Sequence, residues 1–258
     1  MLNQQEKAER FKALHTKRNP VILYNIWDPD TAKAVVSQGA KALATSHHAI
    51  TNAYGYVDGE SMPLELDLNN MQRIVAAVDL PVSVDFETGY GTTPDDVHKS
   101  VARALKTGIV GMNIEDRAGE PGQLRSTEDS CTRLAAARQA ANDKGISMFL
   151  NARTNLYAYA APEDQNEQLV DQLLERAAAF KHAGSDGFFA PMIKNIDHIR
   201  KLCDESPLPV NIIWFPGFPS VKELIDAGAS RVSYGPGPYL DMIEWLKNQA
   251  KRAFALEN

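Results

Sequence analysis

Short apolar runs alternate with longer amphipathic segments along the chain, and this alternation occurs eight times. A helical pattern follows each apolar run, most clearly at 166–181, where Leu169, Leu173 and Phe180 fall on one face. Strands that alternate with helices in this way predict a parallel sheet. The predicted strands are Val21–Trp27, Ala42–Ser46, Pro81–Glu87, Ile109–Glu115, Ser147–Arg153, Asp186–Pro191, Pro209–Trp214 and Arg231–Tyr234.

Glycines mark the ends of several helical patterns. Gly39, Gly108, Gly184 and Gly228 each end such a pattern, and a predicted strand follows within a few residues. Eight strand–helix units in 258 residues predict an α/β protein with a single (β/α)8 TIM-type barrel, a fold of about 250 residues. We expect one domain that covers residues 1–258. An open doubly wound sheet is the alternative, but no G-x-G-x-x-G follows the first strand.

The overall composition excludes several classes of partner. Hydrophobic residues make up 44% of the chain, as in ordinary globular proteins, and the net charge of −6 argues against a nucleic-acid or anionic-membrane surface. No apolar stretch approaches the roughly 18 residues that a membrane span needs. The two cysteines, Cys131 and Cys203, have no metal-ligand spacing and form no disulfide framework. These features favour a cytoplasmic protein.

Polar and apolar side chains alternate within the predicted strands. In the third strand, Asp85 and Glu87 share the polar face, and Asn113 and Glu115 share the polar face of the next strand. We expect the apolar faces to meet the helices and the polar faces to point into the barrel. The carboxyl ends of the strands, where these acids lie, form the active-site end of such a barrel.

Asp85, Glu87 and Glu115 would converge from two neighbouring strands. Three carboxylates in one dry space repel one another, so they need a cation or must take up protons. All-oxygen ligands favour a hard ion, which predicts Mg²⁺, with Mn²⁺ as the alternative. In the other interpretation, one or two of these acids pair with Arg153 or cap a helix. Arg153 itself suits a substrate carboxylate or phosphonate, or else pairs with Glu115.

Eight segments, in order along nearly the whole chain, carry a family resemblance. They are NIWDPDTAKAV (25–35), ALATSHHAITNAYGYVDGE (42–60), LPVSVDFETGYG (80–91), VGMNIED (110–116), FLNART (149–154), AGSDGFFAP (183–191), LPVNI (208–212) and RVSYGP (231–236). These segments resemble the isocitrate lyase / phosphoenolpyruvate mutase superfamily, with VDFETGYG and the loop around YVDGE the most specific. The resemblance implies a magnesium-binding barrel that holds a pyruvate-like enolate or an oxalate analogue.

The resemblance also implies roles for individual acids and for one arginine. Asp85 and Glu87 correspond to the metal-site pair, where family members often have Asp at both places. Glu115 corresponds to a third metal-site acid that acts mostly through water. Asp58, on the loop after the second strand, corresponds to another acid of the site. Asp58, Glu115 and Arg153 are therefore the expected catalytic residues, with Arg153 holding the carboxylate or oxo group of a 2-oxo acid.

The substrate-binding positions that the resemblance implies are Trp27, Ser46, His47, Asn211 and Ser233. Ser46 and the backbone N–H of His47 would hold the anionic end of the substrate. Trp27 would shield it, and Asn211 and Ser233 match polar positions at the rim. A histidine at position 47 or 48 could instead move protons near neutral pH, or serve as a half-buried hydrogen-bonding residue.

The loop after the fourth strand departs from the family pattern. Isocitrate and methylisocitrate lyases carry a Lys-Lys/Arg-Cys-Gly-His loop here, whereas residues 116–126 read DRAGEPGQLRS. Those two activities are therefore not expected. The Lys and Asn that phosphoenolpyruvate mutases place on this loop are absent as well. Glu120 is a candidate acid/base on the loop, or a solvated residue.

Three functions follow from these observations. The first is a Mg²⁺-dependent lyase that breaks a C–C bond to release a 2-oxo acid, with decarboxylation as a variant. The second is a P–C bond enzyme, either a mutase or a phosphonopyruvate hydrolase. The third is a catalytically weak, metabolite-binding barrel.

The expected partners are a small 2-oxo acid or phosphonate and further copies of the chain. The resemblance implies a homodimer or homotetramer in which a C-terminal helix is exchanged between subunits. The last segment of this chain, 239–256, is short for that role. It could pack on the chain's own barrel or on a partner subunit.

Overall fold

The computed structural model describes residues 2–119 and 122–255. Eight parallel strands form one sheet in the order β1-β8-β7-β6-β5-β4-β3-β2. The strands are β1 (Val21–Leu23), β2 (Leu43–Ala44), β3 (Val82–Asp85), β4 (Gly111–Glu115), β5 (Phe149–Arg153), β6 (Gly187–Phe189), β7 (Val210–Ile213) and β8 (Arg231–Ser233). A parallel bridge between Ile26 and Thr45 joins the two edges just beyond β1 and β2. The predicted (β/α)8 barrel is therefore confirmed, and each strand lies inside its predicted range.

Helices occupy most of the chain between the strands. They are α1 (Gln4–Ala13), α2 (Pro29–Ser37), α3 (His47–Ala53), α4 (Leu64–Ala77), α5 (Pro94–Leu105), α6 (Thr127–Asp143), α7 (Leu156–Tyr159), α8 (Glu167–His182), α9 (Ile196–Glu205), α10 (Val221–Asp226) and α11 (Gly237–Phe254). Asp28 and Thr93 cap α2 and α5 by accepting a hydrogen bond from a backbone N–H in the first turn, and a proline follows each cap. None of the described helices combines the length and the apolar character that a bilayer span requires.

The two faces of the strands divide the interior of the protein. Val84, Met112 and Leu150 are buried with helical residues such as Val101 and Leu134 in the largest apolar cluster, which lies between the sheet and the helices. This arrangement confirms the predicted outward direction of the apolar faces. The side chains of the adjacent residues on each strand are thereby directed into the barrel.

The amino-terminal end of the barrel is closed by aromatic side chains. Phe11 of α1 lies edge-on to Phe149 of β5, with ring centroids 5.7 Å apart. His15 stacks on Phe149 at 3.8 Å. Gly111 makes room for this group, because a Cβ at that position would lie 2.8 Å from the Phe11 ring. A ligand inside the barrel would therefore occupy its opposite, carboxyl-terminal half.

The last helix leaves much of its apolar surface uncovered. Pro238 is the only buried residue in α11, whereas Trp245 is 62% exposed and Leu246 is 53% exposed. The outward face of β1 is also uncovered, since Ile22 is 40% exposed and Tyr24 is 45% exposed. A groove of about 620 Å³ runs along this face of β1.

Candidate active site

A cavity of about 260 Å³ lies at the carboxyl ends of the strands. It is surrounded by polar side chains from many strands and loops. The polar residues that line it include Asn25, Thr45, Ser46, His48, Asp58, Asp85, Glu87, Asn113, Arg153, Asn155, Tyr159, Arg231 and Ser233. Polar groups gathered at this end of the barrel mark the candidate active site.

The three acids predicted to converge lie close together: Asp85 and Glu87 line this cavity, and Glu115 contacts Arg153, which also lines it. Asp85 ends β3, Glu87 follows two residues later, and Glu115 ends the neighbouring strand β4. Burial raises the pKa of Asp85, with Arg153 opposing and Glu115 adding to the shift. Burial also raises the pKa of Glu87 to about 7. The pKa of Glu115 is lowered instead, because contacts with Arg153 and other donors outweigh its burial.

Two arginines neutralise part of this acidic cluster. Arg153 Nη2 lies 3.1 Å from Glu115 Oε2, and its Nη1 lies 3.6 Å from Asp85 Oδ2. Arg117 Nε donates to Glu115 Oε1 at 2.7 Å, and its Nη2 donates to Glu87 Oε2 at 2.9 Å. The alternative pairing of Arg153 with Glu115 is thus present. Arg153 nevertheless lines the cavity, where a ligand can reach it.

The side chain of His47 is a further positively charged group near these acids. It is fully buried, with Nδ1 3.3 Å from Asp58 Oδ1 and 3.1 Å from Glu87 Oε1, while Nε2 lies 2.7 Å from the Tyr90 hydroxyl oxygen. Burial alone would lower the pKa of His47, but the hydrogen bonds to Asp58 and Glu87 outweigh it and raise the pKa to about 11. The imidazolium therefore links the loop acid Asp58 to Glu87.

The loop after β3 holds Glu87 in an uncommon backbone conformation. Glu87 has φ 51° and Tyr90 has φ 49°, both in the left-handed region that non-glycine residues rarely adopt. The Glu60 carboxylate accepts hydrogen bonds from the backbone N–H groups of Thr88 and Tyr90, at 2.8 and 3.0 Å. Buried Arg133 donates to the Thr88 carbonyl oxygen at 2.7 Å. These contacts stabilise the turn that directs Glu87 toward His47 and Arg117.

A chain of side-chain hydrogen bonds crosses the barrel among the inward-facing residues. Asn113 donates to Asp85 Oδ1 at 3.4 Å, and Asn151 donates to Asn113 Oδ1 at 2.9 Å. Asn151 also donates to Asn211 Oδ1 at 3.3 Å, and Asn211 donates to Ser233 Oγ at 3.0 Å. The chain connects β8 to β3 and ends on Asp85, so it restrains the carboxylate of that residue.

The predicted substrate-binding residues occupy different positions. Ser46 and Ser233 line the cavity, whereas Asn211 is 1% exposed and belongs to the hydrogen-bonded chain. Trp27 is buried and lies edge-on to Tyr239 at 5.3 Å, in a cluster with residues of α3. Trp27 is not one of the described residues that line the cavity. Its shielding role remains a prediction without a contact to support it.

The loop at 116–126 is anchored at its start. Asp116 is buried and accepts hydrogen bonds from the Asn155 backbone N–H and from Arg176, each at 2.9 Å. Arg117 pairs with Leu124 in an antiparallel bridge, which folds the loop back on itself. Arg117 is therefore held where its guanidinium reaches Glu87 and Glu115. The candidate acid/base Glu120 lies outside the described residues.

Sequence reasoning gave no role to several polar residues of the site, among them Arg117, Asn155 and Arg231. Asn155 donates to Glu115 Oε2 at 2.7 Å, and both Asn155 and Arg231 line the cavity. Each lies two positions from a residue that was predicted: Glu115, Arg153 and Ser233, respectively. Extending the two-residue period of a strand in either direction from the predicted residues would have identified all three.

The arrangement of charges at the cavity determines which ligands it can bind. Acidic oxygens and arginine donors face one small cavity, so it can bind an anionic ligand together with a divalent cation. Asp58 and Glu87 each reach His47, and one atom from each of the three residues lies within 4.8 Å of the others. Because the raised pKa of His47 keeps its ring protonated, these three residues share a proton, and the oxygen set around Asp85 is the candidate cation site.

Comparison with known proteins adds an independent finding. The family model described as phosphoenolpyruvate phosphomutase matches residues 11–254. An uncharacterised protein of Mycobacterium tuberculosis (strain ATCC 25618 / H37Rv) is 30% identical over 229 residues, covering 89% of this chain and 83% of that protein. The 2-methylisocitrate lyase of Escherichia coli (strain K12) is 27% identical over 239 residues, covering 88% of this chain and 77% of the lyase.

A solved structure is also similar over almost the whole chain. It is a protein from Burkholderia cenocepacia J2315 that is provisionally described as a phosphonomutase. The two chains are 41% identical, with a TM-score of 0.95, and the match covers 97% of this chain and 100% of the other.

Proposed function

Because the chain belongs to the phosphoenolpyruvate phosphomutase family, we propose that it is a Mg²⁺-dependent lyase acting on a small 2-oxo acid or its precursor. The reaction would break a C–C bond, or remove a carboxylate as carbon dioxide, through an enolate intermediate. One observation carries the proposal. Asp85, Glu87 and Arg153 line a single cavity at the active-site end of the barrel, with Glu115 in contact with Arg153.

The oxygen donors fit Mg²⁺. Among the described residues, the Asp85 carboxylate makes only long side-chain contacts, 3.4 Å from Asn113 and 3.6 Å from Arg153, so it is available to an ion. Glu87 and Glu115 are engaged by Arg117 and would act through water. Mg²⁺ usually keeps several waters and uses one or two carboxylates, and Mn²⁺ accepts the same ligands. When bound, Mg²⁺ would supply Lewis-acid stabilisation of negative charge on a substrate oxygen.

The residues of the chain would bind and orient the substrate. Arg153 would hold the carboxylate or oxo group, because its planar guanidinium matches an anionic oxygen pair. Glu115 stays ionised beside Arg153 and fixes its position. Ser46 would receive the anionic end of the substrate at the cavity wall. Asp58 would act as a further acid of the site, kept in place by its hydrogen bond with His47.

Oxalate tests this proposal, because it imitates the enolate of pyruvate. The thermal unfolding temperature would be measured with oxalate, with and without Mg²⁺, for the wild type, Asp85→Ala and the surface variant Asp164→Ala. A ligand at 100 times its Kd adds about 2.7 kcal/mol of stability. We expect a Mg²⁺-dependent shift in the wild type and Asp164→Ala that is lost in Asp85→Ala. A wild type that never responds would contradict the proposal and favour a barrel without this chemistry.

A P–C bond enzyme is the second candidate function. The similarity to a structure described as a phosphonomutase favours it. The loop at 116–126 speaks against it, since the Lys and Asn of the mutases are absent. Release of inorganic phosphate from phosphonopyruvate by the wild type, and not by Asp85→Ala, would select this function over the C–C lyase.

We also propose that the chain forms a homodimer or homotetramer through α11. Trp245 and Leu246 expose apolar surface on this helix, and Ile22 and Tyr24 expose apolar surface on β1. The groove along β1 lies where a helix would cover the outside of the barrel. A second copy of the chain could bury both surfaces by placing its α11 in this groove.

A further inference from the structure

Arg231, the first residue of β8, is a buried arginine that has no close counter-ion among the described residues. It is 2% exposed, and among the described residues neither Nε nor Nη1 has a hydrogen-bond partner. Burial lowers the pKa of Arg231 to about 10, and Asp85 is the acid whose charge opposes this shift. The guanidinium is therefore still charged at neutral pH. A buried charge with unmade hydrogen bonds is strongly unfavourable unless something else binds it.

The position of Arg231 connects it to the candidate active site. It lines the same cavity as Asp85 and Arg153. It lies two residues closer to the amino-terminal end of β8 than Ser233, so it belongs to the inner part of the cavity. β8 and β5, which carry Arg231 and Arg153, are separated in the sheet by two other strands. The cavity therefore has one guanidinium on each of two well-separated walls.

The groups near Arg231 at the amino-terminal end of the barrel are neutral, so they do not supply a negative charge to balance its guanidinium. His15 Nδ1 lies 2.8 Å from the Phe11 carbonyl oxygen, which makes Nδ1 the protonated nitrogen and leaves Nε2 as an acceptor without a partner. Burial, together with the charge of Arg231, lowers the pKa of His15 to about 3, so this ring is neutral. Ser83 Oγ also has no partner among the described residues. These groups could share water with Arg231, but they could not neutralise it.

We propose that Arg231 is a substrate-recognition residue that binds a second carboxylate of the ligand at the inner end of the cavity. This inference rests on the proposed function, in which the 2-oxo acid end of the ligand lies at Asp85 and Arg153. The preferred substrates are then compact dicarboxylic 2-oxo acids rather than 2-oxo acids that end in a methyl group. A cavity of about 260 Å³ corresponds to about nine waters at roughly 30 Å³ each, which suits compact ligands.

Matched ligands test the recognition role. Kd would be measured by calorimetry in the presence of Mg²⁺ for oxalate and for two pairs that differ in one terminal group. The pairs are 2-oxobutanedioate with 2-oxobutanoate, and 2-oxopentanedioate with 2-oxopentanoate. We expect the wild type to bind the dicarboxylate at least tenfold more tightly in one pair. Arg231→Met should lose this preference while its Kd for oxalate changes less than threefold, and Arg231→Lys should regain part of it.

The outcomes separate the two proposals. If the wild type binds oxalate but shows no tenfold preference in either pair, the role of Arg231 is wrong and the proposed function stands. The same holds if Arg231→Met keeps the preference. If the wild type does not bind oxalate with Mg²⁺, the proposed function itself fails and the inference fails with it.

Stability of the ligand-free protein gives a second, independent readout. Arg133 is the matched control, since it is also buried, at 1% exposure, but donates to the carbonyl oxygens of Thr88 and Gly91, each at 2.7 Å. Arg133→Met should lower the thermal unfolding temperature by several degrees. Arg231→Met should leave it unchanged or raise it, because an unpaired charge is removed. A decrease as large as that of Arg133→Met would mean that the guanidinium is satisfied by the fold, and would overturn the proposal.

Discussion

Asp67 on α4 shows how one buried acid can work against the stability of the fold. It has no exposed surface, and neither carboxylate oxygen has a hydrogen-bond partner among the described residues. The Tyr90 hydroxyl is near enough to lower the pKa of Asp67, but it is not in hydrogen-bond geometry. Burial raises the pKa of Asp67 from 3.8 to about 6, and it outweighs both the nearby charge of His47 and the contact with Tyr90, which lower the pKa.

The folded protein therefore binds a proton at Asp67 more tightly than the unfolded chain does. Its contribution to stability is fully present below pH 3.8 and is lost as the pH rises through about 6. At pH 7 the loss amounts to about 3 kcal/mol, from roughly 1.4 kcal/mol for each pKa unit. We expect Asp67→Asn to be more stable than the wild type at pH 7, by up to about that amount, with the difference vanishing below pH 4.

Urea denaturation between about pH 3.5 and 8 would measure the effect. Glu65→Gln, on the exposed side of the same helix, serves as the control and should change stability by no more than about 0.5 kcal/mol. An Asp67→Asn protein with the same pH dependence as the wild type would contradict the assignment of this titration to Asp67.

At the scale of elements, α1 acts as part of the barrel rather than as an appendage. Phe11 is fully buried and packs against Phe149 inside the barrel floor. We expect Phe11→Ala to lower the free energy of unfolding by about 3–5 kcal/mol, the usual cost of removing a buried phenylalanine. Arg10→Ala, at an exposed position of the same helix, should change it by no more than about 0.5 kcal/mol.

Chemical denaturation of both variants checks this prediction. Equal, small effects would mean that α1 packs loosely and does not close the barrel. The sequence alone did not indicate this role, because α1 is mostly polar and only Ala8 and Phe11 are buried in it. Its importance depends on where Phe11 points in the folded chain.

The strands also differ in length from their predicted ranges. The first predicted strand reached Trp27, whereas β1 ends at Leu23 and only Ile26 makes a further bridge. Apolar alternation continues past the hydrogen-bonded part of a strand, since side chains at its end still face alternately in and out. The same continuation explains why cavity-lining residues such as Asn25 and Glu87 lie just beyond the strands themselves.

At the scale of the whole molecule, the exposed face of α11 leads to a prediction about assembly. Light scattering coupled to gel filtration should find the wild type as a dimer or tetramer. A stable interface buries about 1,000 Å² of surface or more, and the long apolar face of α11 would contribute to that area. Trp245→Asp should shift the protein toward the monomer, because it places a charge on that face.

Asn248→Asp, which adds the same charge at another exposed position of α11, should leave the assembly unchanged. A wild-type monomer, or a Trp245→Asp protein that assembles as the wild type does, would show that α11 does not join the subunits. The catalytic proposal does not depend on that result, because the residues to which it assigns roles lie at the carboxyl end of the same barrel.

The sequence by itself determined the barrel and the inward direction of its acids. Both depend on local periodicity: a period of two sets the face of each strand residue, and repeated strand–helix units set the architecture. Asp85 and Glu115 could therefore be placed at the same end of neighbouring strands without any coordinates.

Only the tertiary structure decided which charges meet. The pairing of Arg117 with Glu87 and the burial of His47 between Asp58 and Glu87 join segments that are far apart in sequence. These contacts depend on the left-handed turn at Glu87 and on the fold of the loop after β4. For the same reason, the sequence could not predict that Nε and Nη1 of Arg231 have no hydrogen-bond partner among the described residues. Periodicity indicates which way a side chain points, but the distance to a partner depends on how distant segments pack.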